Sequence, residues 1–590
     1  MPRPYTGKIT IGEFRTTLKN GVIYVYERTT KYDQETQKTL TTGRRLKGKI
    51  LPGTTEIVPT RPKKKSSVNK EGENLAPNSE TKASSETKVP SETKASYTRV
   101  GMTRILNWVG QESGITAALR KCFDDSDAKK IETIAQYWTA TGGQTLPRME
   151  AWQINHITPY ADGMSEDACG QLFVDIAANE KAIQDYFICR GKNVGADRLV
   201  LAFDSTTVDT YSDQQTQARF GFSKESDALP SIKLLTLMTL DDEQPFAFAS
   251  QPGNIPDVAS IRNAIAQLKC VCSAKPLVVT DSGFCSEGNL AQFARNSMDY
   301  LTRISTDVKW VKEELDKIKS NITDIENACP FDELTCCKTV KVRHEFEITR
   351  ERTRGKFKKG DVEKFSRWLY LHFIYSETKA LDERRSFRSQ LNSLKKLVEQ
   401  NEALTDAGER KSKKYLIIEG DETSRTVRFN NEAIREEELR FGYFVLVSNC
   451  EKDPFEALKL YRKREKIEDL FSVQKNYMDG RRPRVWYSEN LRGRQFVQFV
   501  AMGYYFFLNR RIRLLKEALG EDDGSKTKEM LKREKALKTW LENRSLIQIL
   551  EWFDALTETR IQTPFARRRV TTETTARDDL FLQKLGVIAA

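Results

Sequence analysis

Leu199-Val200-Leu201-Ala202-Phe203-Asp204 is an apolar run that ends in an acid, and Pro276-Leu277-Val278-Val279-Thr280-Asp281 repeats the pattern. Unalternated apolar runs of this length suit strands covered on both faces. Around them, Ile232–Leu240 and Pro245–Ala249 read as two more strands joined by the turn Asp241-Asp242-Glu243. A helix starts near Asp257, Ser286–Arg295 is helical, and Tyr300–Ile304 and Tyr443–Val447 are further apolar strands. Strands and helices in this order predict an α/β layer fold. Ligand sites in open α/β sheets lie at the carboxyl ends of strands. Asp204 and Asp281, each followed by a polar stretch (Ser205-Thr206-Thr207 and Ser282-Gly283), are therefore expected at strand ends. One such acid reads equally as a turn or helix-capping aspartate. Two in one sheet raise the case for a site.

A third acid follows from helical geometry. In Lys459–Tyr477, the residues Tyr461, Arg464, Glu468 and Lys475 are spaced by three, four and seven. At about 100° per residue they fall within about 60° of one another. One face thus carries a phenol, a guanidinium, a carboxylate and an ammonium, beside an apolar stripe of Leu460, Ile467 and Phe471. The competing reading is an exposed helix with ordinary ion pairs, for which Glu465 and Asp469 supply partners. Three hard carboxylates together suit Mg²⁺ or Mn²⁺. A pair of such ions can activate the attacking oxygen and stabilise the leaving oxygen of an in-line phosphoryl displacement. Arg464 and Lys475 can hold neighbouring phosphates.

These residues resemble a known family. Tyr461-x2-Arg464-x3-Glu468-x6-Lys475 is similar to the YREK signature of a large group of bacterial insertion-sequence DDE transposases. Asp204 and Asp281 stand in the order and strand contexts of that group's first two acids, with Pro252-Gly253-Asn254-x2-Asp257 and Thr280-Asp281-Ser282-Gly283-Phe284 resembling its flanking blocks. The resemblance spans about residues 198–510. It implies an RNase H-like catalytic core that holds two Mg²⁺ or Mn²⁺ ions on Asp204, Asp281 and Glu468, with Tyr461, Arg464 and Lys475 on the DNA end. It further implies cut-and-paste transposition by a homodimer on paired terminal inverted repeats: a water-derived nucleophile nicks each end, and the freed 3′-OH attacks, often through a hairpin, and later joins target DNA.

The rest of the chain sorts by composition. Residues 1–62 look β-rich, with the run Val22-Ile23-Tyr24-Val25-Tyr26. Residues 63–97 repeat Ser-Glu-Thr-Lys at 79–82, 85–88 and 91–94, have little to bury, and predict a disordered tether. Residues 98–197 are helical by the spacing of Ile105, Trp108 and Val109 and of Ile131, Ile134, Ala135 and Trp138, and read equally as a DNA-binding bundle or a scaffold. The core is expected over 198–304 and 443–515, interrupted at 305–442 by a largely β insertion. That insertion has Val340, Val342, Phe346 and Ile348 at alternate positions, Phe365–Tyr375 and Tyr415–Ile418 as strands, and one helix lined by Phe387, Leu391, Leu394 and Val398. Residues 516–590 are expected to be helical, as a dimerisation region.

Charge points the same way. Lys and Arg total 96 against 83 Asp and Glu, a net +13. From Lys459 to Lys516 there are 15 Lys and Arg against 5 Asp and Glu, interleaved with Phe471, Tyr477, Trp486, Tyr487, Phe496, Phe499 and Tyr504–Phe507. That is the pattern of a nucleic-acid track, and Arg481, Arg482 and Arg484 are its expected DNA contacts. Met1–Thr10 has no apolar leader and no run of about 18 apolar residues exists, so the expectation is a cytoplasmic protein (bacterial and nucleoid-associated by the resemblance) with no membrane partner. The three His and ten Cys complete no zinc spacing, and the cysteines read as reduced fillers. Two other functions use the same residues: a two-metal DNA nuclease that does not join ends, and a DNA-binding regulator on a degenerate transposase fold. The intact acids and the intact YREK face argue against the regulator.

Overall fold

The computed structural model describes residues 9–17, 23–33, 38–50, 57, 94–192, 199–221, 223, 228–271, 275–349, 358–420, 426–521, 524, 526–563 and 565–588. The expected tether lies outside these residues, apart from its end at 94–97. The chain divides into two units, Met1–Lys88 and Val89–Ala590. In the first, β1 (Ile9–Thr17), β2 (Ile23–Asp33) and β3 (Lys38–Ile50) form an antiparallel meander around the buried Val25 and Ile50.

The second unit opens with β4 (Lys94–Arg99), so the last residues of the expected tether are strand. Helices at 101–112, 115–122, 125–141, 149–155, 166–178 and 180–192 follow, in the region expected to be helical. Their ends obey local chemistry: the Asp124 carboxylate caps Asp127 N–H, and Gly142 closes the same helix at φ 66°.

Next come β5 (Val200–Asp209), β6 (Ser231–Thr239), β7 (Pro245–Pro252), β8 (Leu277–Thr280), β9 (Asp299–Ile304), β10 (Ala328–Cys329), β11 (Asp332–Thr349) and β12 (Val362–Ser376). After them lie β13 (Leu416–Glu419), β14 (Thr426–Phe429), β15 (Tyr443–Ser448), β16 (Thr557–Gln562) and β17 (Arg567–Thr571). One nine-stranded sheet dominates, in the order β10-β11-β12-β15-β9-β8-β5-β6-β7. The neighbours β5, β8 and β9 run parallel, and every other pairing is antiparallel. This is a mixed α/β fold. Every residue of β5, β6 and β8 is buried, as strands under helices on both faces should be.

Two stretches fold differently from their sequence reading. The long strands of 305–442 extend the central sheet: β12 pairs with β15, and Leu369, Leu371, Phe373 and Ile374 join the main core. Only β13, β14 and the adjoining helices keep a small core of their own, around Leu394, Val398, Leu416 and Val427. The region after 516 has three helices, but β16 and β17 also form a sheet with β4, in the order β17-β16-β4. The alternating β-branched residues of β16, Thr557, Thr559 and Ile561, are interrupted by Arg560, and β17 opens on three arginines.

The helix Ser488–Ala518 runs through the core with Phe496, Val500, Tyr504 and Leu508 buried at four-residue steps. A Cβ on Gly493 would lie 2.0 Å from the carbonyl oxygen of Phe173, so glycine is what lets this helix touch helix 166–178. The aromatics that suggested a nucleic-acid track are therefore mostly core residues. Arg494 is buried too, over the Trp138 ring, and burial pulls its pKa down to about 10. Among the described residues no helix is long and apolar enough to cross a membrane.

Candidate active site

Asp204 does not end its strand. It lies within the ten-residue β5, which continues through Ser205, Thr206 and Thr207, all buried. The polar stretch is not a loop because its hydroxyls find partners inside: Ser205 Oγ donates to Asp257 Oδ1 (2.7 Å), and Thr207 Oγ1 meets Ser223 Oγ (3.4 Å), which itself donates to Asp209 Oδ1 (2.7 Å). The parallel ladder pairs Val200 with Leu277 and Ala202 with Val279. Continued by two residues, that register sets Asp204 beside Asp281, which follows the last residue of β8. Behind them Phe203 and Phe284 meet edge to face at 4.9 Å, which fixes both backbones. Thr302 on β9 donates to the carbonyl oxygen of Asp281 (3.3 Å).

The YREK segment is not one regular helix. Pro454–Lys463 and Lys466–Ser472 are α-helical, the junction at Arg464–Glu465 is tightened to three-residue hydrogen bonds, and Val473–Tyr477 is a π-helical turn. A uniform 100° step therefore does not hold across it. Ile467 and Phe471 still bury against the sheet side as expected. Tyr461 Oη donates to Asp281 Oδ1 at 2.8 Å. Arg464 is buried, with Nη1 3.7 Å from Asp204 Oδ2 and Nη2 3.6 Å from Glu468 Oε1, and its guanidinium lies over the Tyr461 ring. One guanidinium thus spans Asp204 and Glu468. Lys475 lies in the π turn and is buried, whereas the Glu468 side chain is 64% exposed, so these two do not share one open face.

Burial opposes ionisation of Asp281, but the Tyr461 hydroxyl, the Ser282 N–H and the Arg464 charge outweigh it and hold the carboxyl below its usual range. Burial, and then the Asp281 charge, push the Tyr461 phenol upward, so it stays a proton donor.

A further pair stands beside the aspartates. Lys233 is buried on β6 and donates to Ile255 O (2.7 Å) and Asp257 Oδ1 (2.8 Å). Gly253 allows this turn: a Cβ there would lie 2.2 Å from Ser231 O. Asp257 Oδ2 faces Gly283, 3.9 Å from where its Cβ would be. Asp257 thus touches the residue after Asp204 and flanks the turn after Asp281. In the sequence Asp257 stands out only as a helix start and as part of a flanking block, and Lys233 not at all, although a lone cation in an apolar strand is a signal.

The expected DNA-contact arginines are separated by their partners. Arg481 bonds Asn476 (2.6 Å), and Arg484, at φ 56°, pairs with Asp479 (2.7 Å). Arg482 is 3.6 Å from the fully buried Asp209 and lies over the Tyr211 ring.

The donor set of Asp204, Asp281 and Glu468 is all hard oxygen and fits a divalent cation in kind. In this arrangement Glu468 and Asp204 are both drawn to Arg464, and among the described residues no three acidic, His or Cys side chains form a ready cage. Holding ions there requires Arg464 to yield the acids. Among the described residues no disulfide is present.

Residues 195–497, just over half of the chain, match the family described as "Transposase DDE domain". No curated protein matches the sequence. Among solved structures the chain is similar to a piggyBac transposase synaptic complex with hairpin DNA, at 9% identity and a TM-score of 0.32, covering 76% of this chain and 81% of that one.

Proposed function

The chain belongs to the DDE-domain transposase family, and from that premise we propose that it is a cut-and-paste transposase of the bacterial YREK group, working as a dimer on paired terminal inverted repeats. The observation that carries the reading is the meeting of five residues from three separate stretches of the sequence: Asp204 level with Asp281, Tyr461 bonded to Asp281, and Arg464 spanning Asp204 and Glu468. We assign the strands β7-β6-β5-β8-β9 to its RNase H-like core.

Asp204, Asp281 and Glu468 hold two Mg²⁺ or Mn²⁺ ions; when bound, these supply activation of the attacking oxygen and charge stabilisation on the leaving oxygen. The protein's own groups do the positioning. Tyr461 aims Asp281 by its hydroxyl, and Ser205 and Asp257 hold the strand on either side of the reacting centre. Arg464, freed from the acids, supplies a fork of donors to the phosphate beside the scissile one, and Lys475 a point charge to the next. Arg481 and Arg484 are exposed enough to reach DNA further along.

The test is strand transfer. A pre-cut end from the inverted repeats flanking the gene, with a free 3′-OH, is incubated with the protein, Mg²⁺ and a supercoiled plasmid. Joined product is expected. Nicking of an uncut end with no joining of the pre-cut one would make the protein a nuclease.

A further inference from the structure

The small sheet β17-β16-β4 lies outside the matched transposase region and takes no part in the site above. Its register places side chains on one face in rows: Lys94–Gln562–Arg567, then Ser96–Arg560–Arg569, then Thr98–Glu558–Thr571. That face carries four cations and one carboxylate. Glu558 is buried beneath Arg560 and Arg569, which pair with it, and despite the burial they hold its carboxyl below the usual range. Even so, the two arginines stay 60% and 63% exposed. Lys94 and Arg567 are exposed and, among the described residues, belong to no ion pair. All of β17 is exposed, and Phe565 at the hairpin tip is 97% exposed.

An edge strand often carries charge to resist pairing with other strands. That purpose does not explain why cations from both outer strands collect on one face. Nor does it explain a bare phenylalanine at the tip. The base of the sheet is anchored: Arg99 pairs with Asp554, and His156 Nε2 bonds the same carboxylate at 2.7 Å. The cations therefore stand on a fixed platform. Arg567 and Arg569, two residues apart on one strand, are separated by roughly 6.8 Å, a span equal to about two 3.4 Å rises along the DNA axis.

We propose that this face, through Lys94, Arg560, Arg567 and Arg569, is a second DNA-docking surface that grips the phosphate backbone of duplex DNA away from the cutting site, with Phe565 poised at a groove. The proposal rests on the transposase reading for its partner. The exposed face complements a polyanion, and its side chains carry no pattern for reading bases, so the binding is independent of sequence.

The experiment measures binding of the full chain to a random-sequence duplex by fluorescence anisotropy across salt concentrations. Removing one cation that neutralises a phosphate flattens the log–log salt slope by about 0.9. Lys94→Gln with Arg567→Gln, which spares the partners of Glu558, should flatten it by about 1.8 and leave the melting temperature unchanged. Arg568→Gln, on the opposite face, should leave the slope as it is. A double variant with the wild-type slope overturns the proposal. So does one that keeps the slope but loses self-association in sedimentation, which assigns the face to a second copy. Wild-type protein that binds no duplex at all overturns the transposase reading itself. Wild-type protein that joins ends while the double variant's slope stays put overturns this inference alone.

Discussion

Arg464→Ala removes the cation that stands between two of the three acids. At 3.7 Å and an effective dielectric of about 20, its attraction for Asp204 is about 4.5 kcal/mol before desolvation. Both partners are nearly covered, with side chains 7% and 12% exposed. Truncating one partner of such a pair leaves the other buried and uncompensated, which costs about 3–5 kcal/mol. The low end applies here, because the Ser205 N–H still bonds Asp204 at 2.7 Å. The Glu468 pair adds no more than about 1 kcal/mol, its carboxylate being largely in water. A loss of about 3 kcal/mol in a unit as long as Val89–Ala590 lowers the melting temperature by roughly 3 °C. The assay is thermal melting without and with Mg²⁺ or Mn²⁺. Asp204→Asn in the Arg464→Ala background should recover most of the loss, since no charge is then stranded. Added cation should raise the melting temperature of Arg464→Ala more than that of wild type, because the ion replaces the missing countercharge. An Arg464→Ala variant melting within about a degree of wild type would refute the idea that the guanidinium balances the acids. A loss that no divalent cation relieves would refute the idea that those acids hold an ion.

Asp257→Asn should lower stability by about 2 kcal/mol, because Lys233 is left buried beside a neutral partner; Lys233→Met added to it should restore the melting temperature but not cleavage, and restored cleavage would confine the pair to a structural role. Arg482→Ala should lower the melting temperature more than Arg481→Ala, since only Arg482 faces the fully buried Asp209; equal melting of the two would place Arg482 among ordinary surface cations. Glu534 is held down to about 2, against its burial, by Lys584, Lys526 and the Gly520 N–H. Its folded pKa lies below the unfolded one, so its contribution is full above about pH 4.5 and fades as pH falls toward 2. The melting gap between wild type and Glu534→Gln should accordingly close as pH drops, and a constant gap would count against it.

The central strands were legible in the sequence for a physical reason: Leu199–Phe203 and Leu277–Val279 are short, continuous apolar runs, and both are buried throughout. The sequence reading misplaced the end of β5 because Ser205–Thr207 look solvent-loving, while the partners that bury them, Asp257 and Ser223, are far along the chain. It expected Tyr461, Arg464, Glu468 and Lys475 on one helix face, and in the structure Tyr461 bonds Asp281 while Arg464 lies between Asp204 and Glu468; one helical period could not foresee the tightened junction or the π turn that carries Lys475 inward. The basic and aromatic composition of Lys459–Lys516 was ambiguous in principle. Phe496 and Tyr504 face a hydrophobic core, and Arg492 is spent on Glu180, which composition alone does not distinguish from a DNA track. Strand β17 was hidden by its arginines, whose common face exists only once β4, from the other end of the unit, pairs alongside β16.

The central claim is that Asp204, Asp281 and Glu468 act as one metal-holding triad on a DNA end, and single-residue variants test it most directly. Asp204→Asn, Asp281→Asn and Glu468→Gln are each assayed for Mg²⁺-dependent nicking of the inverted-repeat end, with end binding and melting temperature measured on the same preparations. The account predicts that each variant stays folded, binds the end nearly as wild type does, and fails to nick. Near-normal nicking by any one of the three would remove that residue from the site and contradict the triad.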